Sequence, residues 1–73
     1  MPQVDTKMTT AQLMQLAADH SNSRVTLSDD EKELLVLLLK QRGAEELDYG
    51  QEIECENVRL IKRVTGAIGL YFK

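Results

Sequence analysis

The sequence predicts an all-α domain of three to four short helices behind an extended N-terminal tail. Three observations carry this: a capping signal at Ser28 ahead of six consecutive apolar residues, apolar residues at helical spacing after Thr9, and a second helical stripe over the C-terminal third. With 73 residues, 42% of them hydrophobic, one small core is expected and nothing larger. A core of this size supplies only about 3–5 kcal/mol, so help from a partner is expected.

Residues 1–8 have no apolar period and carry Pro2, so they read as the tail, and residues 9–73 as a single helical domain. In the first helix Thr9 or Thr10 provides the N-cap hydroxyl, and Leu13, Leu16 and Ala17, with His20 beyond them, share one face. Ser21, Asn22 and Ser23 end it, because their side chains compete for backbone hydrogen bonds.

The second helix is expected over 29–42. Ser28 and Glu31 form a capping box, acids fill the first turn, and Lys40 and Arg42 sit in the last. Gly43 is placed for the left-handed residue that follows a helix end. Residues 34–39 are all apolar, which leaves the middle of this helix almost no solvent face.

A short turn of helix is expected over 44–47. Beyond it, two readings compete. Glu52, Ile53, Glu54, Cys55 and Glu56 alternate as a strand does, and Val58, Ile61 and Val64 are β-formers. Yet Ile53, Leu60, Ile61, Val64 and Ile68 share a helical face, Asp48 and Gln51 fit an N-terminal capping pair, and acids precede bases. A third helix over 51–65, ended by Gly66, is preferred; an α+β fold with a C-terminal hairpin is the alternative.

The formal charge of −3 conceals a partition. Residues 1–27 are neutral, residues 28–56 sum to −7, and residues 57–73 sum to +4 without one acid. One cysteine excludes an internal disulfide, and Cys55 with His20 cannot form a four-ligand zinc site. The longest apolar run is far short of the roughly 20 residues of a membrane helix, and no secretory signal opens the chain. A cytoplasmic protein without membrane contact is expected.

Catalysis finds little support. Nothing in the spacing brings His20 and Cys55 within the reach that nucleophilic catalysis needs, and the segment Gly66, Ala67, Ile68, Gly69 lacks the lysine and hydroxyl of a phosphate loop. Asp29, Asp30, Glu31 and Glu33 do not follow calcium-loop spacing, and capping explains them more cheaply. Neither enzyme, cofactor nor metal is expected. Arg59, Lys62 and Arg63 are the one basic cluster; on a helix they would share a face able to approach phosphates, which makes a helix-turn-helix-like DNA-binding protein the runner-up. Acidic overall charge argues against strong autonomous DNA binding. A small polarised domain with a free tail fits instead an adaptor or inhibitor of a larger protein.

In length, in the opening Met1, Pro2, Gln3, Val4, Asp5, Thr6, Lys7 before a compact body, and in its acidic/basic split, the chain resembles the small RNA polymerase-binding regulators of lytic Xanthomonas phages. The resemblance implies a non-catalytic inhibitor of initiation that displaces the sigma factor and acts as an antiterminator. It implies that the tail, through Val4, Asp5, Thr6 and Lys7, contacts the N-terminal region of the polymerase β′ subunit while the body lies near the β flap. Arg59, Lys62 and Arg63 are taken from charge alone as the body's partner- or nucleic-acid-binding face, nucleic acid being secondary, and the free chain is taken as a monomer.

Overall fold

A computed structural model describes residues 4–72. It is an α+β fold: helices α1 (Thr10–Ser21) and α2 (Asp29–Glu46) precede strands β1 (Glu52–Cys55), β2 (Val58–Lys62) and β3 (Ile68–Phe72). The strands form an antiparallel meander in the order β1-β2-β3, and both helices pack on one face of it. No helix among the described residues is long and apolar enough to cross a membrane.

α1 begins with a capping box, in which the Thr9 hydroxyl accepts from Gln12 N–H at 3.1 Å and the Gln12 side chain accepts from Thr9 N–H at 2.9 Å. Its apolar side buries Leu13, Met14, Leu16, Ala17 and Ala18. The chain leaves the helix through Ser23, at a left-handed φ of 62°.

In α2 the Ser28 hydroxyl accepts from Glu31 N–H at 3.2 Å and donates to the Glu31 carboxylate at 3.3 Å. The helix does not stop at Arg42. It runs through Gly43, where a Cβ would lie 3.2 Å from Ile68 Cγ2 and 3.3 Å from Leu60 Cδ1. Gly43 is therefore a contact residue, letting α2 approach the sheet closely, and not a helix stop. Nor is α2 buried all round: Leu35, Leu38 and Leu39 enter the core, but Leu37 is 65% exposed and Leu34 36%.

The expected third helix over 51–65 is absent, and the all-α expectation falls with it. Period two replaces period 3.6. Ile53, Cys55, Val58, Leu60, Ile68 and Leu70 point at the helices, whereas Ile61 turns to the opposite face and Val64 is 79% exposed in the turn. The physical reason is that two helices bring two apolar stripes needing a cover, and branched residues at alternate positions supply one flat apolar face. Glu56, at a left-handed φ of 53°, and Asn57 make the two-residue turn between β1 and β2.

The tail is also corrected. Val4 is 2% exposed and belongs to the core. Asp5 folds the next residues into a turn, its Oδ1 accepting from Lys7 N–H at 2.9 Å and its carbonyl from Met8 N–H at 3.1 Å. Arg42 donates to the Thr6 carbonyl at 2.7 Å, fastening this turn to α2. From Val4 onward the segment is thus part of the body; Met1, Pro2 and Gln3 lie outside the described residues.

Arg24 joins the helices to the first hairpin, bonding Asp19 at 2.8 Å and Glu56. The hydrogen bond from Arg24, and then that from Gln15, hold the Glu56 carboxyl below its ordinary range, while the bond to Glu56 raises the Arg24 guanidinium. A depressed folded value means that Glu56 stabilises the fold above the ordinary carboxylate range and ceases to do so as pH falls through that depressed value. Glu56→Gln should therefore lower the urea midpoint at neutral pH, and the gap to the native chain should close as pH falls through and below the ordinary carboxylate range. Because the pair is exposed, added salt should narrow the gap as well.

Candidate functional site

Strand register decides which side chains the open face of the sheet carries. Leu60 pairs with Ile53 and with Leu70 on the helix side; Arg59 pairs with Glu54 and with Tyr71 on the other. The open face accordingly presents Glu52 and Glu54 from β1, Arg59 and Ile61 from β2, and Gly69 and Tyr71 from β3. Arg63, just past β2, continues the same side through its backbone bond to Ala67 at 2.8 Å.

On this face the Arg59 guanidinium lies 5.4 Å from the centre of the Tyr71 ring and 3.9 Å from the Glu52 carboxylate. Arg63 donates to the Tyr71 hydroxyl from the other side. Gly69 is required here, since a Cβ would sit 2.7 Å from Tyr71 Cε2. Tyr71 is thus laid along its own strand, held by two arginines.

Lys62 leaves the cluster that the sequence assigned to it. Its side chain points to the helix side, donates to the Ala44 carbonyl at 3.0 Å and stands 4.5 Å above the Tyr49 ring. The three cations therefore do not share one face, and they are not on a helix; the helix-turn-helix reading has no recognition helix to rest on. What unites them is the aromatic residues. Lys62 and Arg63 make no ion pair among the described residues, although acids outnumber bases 12 to 9, and each instead engages a tyrosine.

The three aromatic side chains of the sequence are all on the surface: Tyr49 68% exposed, Tyr71 39% and Phe72 48%. The core among the described residues, from Val4 to Leu60, contains no aromatic side chain by contrast. Sequence reasoning passed over these aromatics. The signal that could have marked them is the alternation of residues 68–72, which sends Tyr71 away from Leu70.

Among the tail residues, Val4 is buried while Asp5, Thr6 and Lys7 are exposed. No hydrogen bond or ion pair among the described residues joins them to Arg59, Lys62 or Arg63. His20 and Cys55 are likewise separate: the Cys55 thiol donates to the Gln15 side-chain Oε1 at 3.6 Å, and His20, with a buried Nδ1 that has no hydrogen-bond partner among the described residues, sits at the far end of α1. No three metal-ligating side chains gather among the described residues.

The chain matches no protein-family model, no curated protein and no solved structure.

Proposed function

We propose that the chain is a non-catalytic regulator that acts in the bacterial cytoplasm by binding RNA polymerase, inhibiting initiation through sigma displacement and promoting antitermination. The identity of the partner rests on the resemblance described above. The mode of action rests on one observation: the aromatic side chains are placed outside, and both tyrosines are engaged by cations. Exposed tyrosine and arginine side by side are the composition of binding hot spots, because they offer large contact area at small entropic cost. Nothing in the aliphatic core requires them to be there.

A polypeptide suits this face better than a nucleic acid. Glu52 and Glu54 stand on the same face as Arg59 and would repel a phosphate backbone. The tail residues Asp5, Thr6 and Lys7 form a second exposed contact, anchored to the body by Val4, toward the N-terminal region of β′; the sheet face is directed to the region of the β flap.

Two variants test the reading in a polymerase retention assay. Tyr71→Ser with Arg63→Glu, and separately Asp5→Ala with Lys7→Ala, should each weaken retention about ten-fold or more, since only exposed side chains are altered. A native chain that polymerase does not retain at low salt would sink the proposal.

A further inference from the structure

The two edges of the sheet are built differently. β1 is guarded by Glu52 and Glu54, whereas β3 (Ile68, Gly69, Leu70, Tyr71, Phe72) has no charge and no proline. Because Arg63 N–H bonds the Ala67 carbonyl, the antiparallel alternation directs the backbone groups of Gly69 and Tyr71 to β2 and those of Ile68, Leu70 and Phe72 outward. No hydrogen bond among the described residues meets those outward groups.

The apolar layer also runs out at this edge. Val58 and Leu60 on the central strand are 0% exposed, but Ile68 and Leu70 are only half-buried and Phe72 is 48% exposed. Beside Phe72 α2 shows half-buried Val36, and next to Val36 on the outer side of the helix stands Leu37, 65% exposed. On the opposite face the side chain next to the edge is Tyr71, with Arg63 on its hydroxyl and no carboxylate on that arginine among the described residues.

We propose that the β3 edge receives an extended segment of a partner polypeptide in which acidic and apolar residues alternate. The apolar set falls onto Val36, Leu37 and Phe72, the acidic set lies beside Tyr71 and meets Arg63, and the segment's backbone takes up the outward groups of Ile68, Leu70 and Phe72. The sheet already holds one neighbour of this kind. β1 turns Ile53 and Cys55 to the helices and Glu52 to Arg59, and so pairs with β2 in the manner expected of the incoming strand with β3. The proposal rests on the reading of this chain as a protein-binding regulator, but not on which protein it binds.

The test is an NMR titration of the full ¹⁵N-labelled chain with a synthetic peptide of alternating Glu and Val, and with its Lys/Val counterpart. The Glu peptide should shift the amides of Ile68, Leu70 and Phe72 and slow their hydrogen exchange, and Arg63→Glu should weaken it about ten-fold while improving the Lys peptide. Equal response to both peptides, shifts confined to other surfaces, or no shift at about 1 mM peptide would overturn the proposal, that concentration marking the weak end of specific binding. A sedimentation measurement showing that a second copy occupies β3 would also overturn it. A chain that ignores the peptide yet is retained by polymerase loses the edge site and keeps the regulator reading; a chain that takes the peptide at β3 but not polymerase does the reverse.

Discussion

Leu60→Ala should leave the chain largely unfolded at 25 °C, read as loss of far-ultraviolet helical ellipticity and of amide dispersion. Leu60 is 0% exposed on the central strand, and its methyl groups lie against α2 at Gly43, where a Cβ would stand 3.3 and 3.4 Å from them. Truncating a buried leucine costs about 2–5 kcal/mol, the spread reflecting how far the neighbours can collapse. Collapse is limited here, because the site lies where a helix and two flanking strands converge. Against a total of about 3–5 kcal/mol for a domain of this size, a loss of that order removes most or all of the margin. A variant that still melts cooperatively within a few degrees of the native chain would show that the helix-sheet interface is not where the stability resides.

Deleting residues 1–7 should also destabilise the fold, by about 1.5–3 kcal/mol, the value of burying one valine-sized side chain. The reason is Val4, which is 2% exposed in the core, reinforced by the bond from Arg42 to the Thr6 carbonyl. Treated as a free tail, the same deletion would leave the fold intact. Chemical denaturation separates the two: the truncated chain should unfold at markedly lower urea, whereas Lys7→Ala, an exposed change, should stay within about 0.5 kcal/mol of the native chain. Polymerase binding by the N-terminal residues is therefore best probed with Asp5 and Lys7, because a truncation removes a core residue together with the contact.

The two helices were legible because their starts are written in local chemistry: Thr9 with Gln12, and Ser28 with Glu31, act on backbone groups three residues away. The end of α2 was not, since Gly43 serves a neighbour distant in sequence, and a glycine that stops a helix looks the same as one that admits a strand. Residues 51–65 failed for a related reason. Ile53, Leu60 and Ile68 fit both a helical face and an alternating one, and only the pairing of β1 with β2 and β3 decides between them. Of the candidate site, the cations could be found by counting charge, but their roles could not. Whether Lys62 joins Arg59 or turns to Tyr49 depends on which side of β2 it occupies, a matter of register.

The placement of the aromatic residues has an optical consequence. With no tryptophan, and with Tyr49 and Tyr71 both exposed, melting of the core alters intrinsic tyrosine emission through the loss of the cation contacts on the two side chains and not through any change in burial within the core. The same emission is sensitive to whatever settles on Lys62, Arg59 and Arg63, whose positions over the rings and on the Tyr71 hydroxyl would be disturbed by a ligand. In this chain the natural chromophores report the state of the cation-bearing surface, and the melting of the core itself is followed through the backbone.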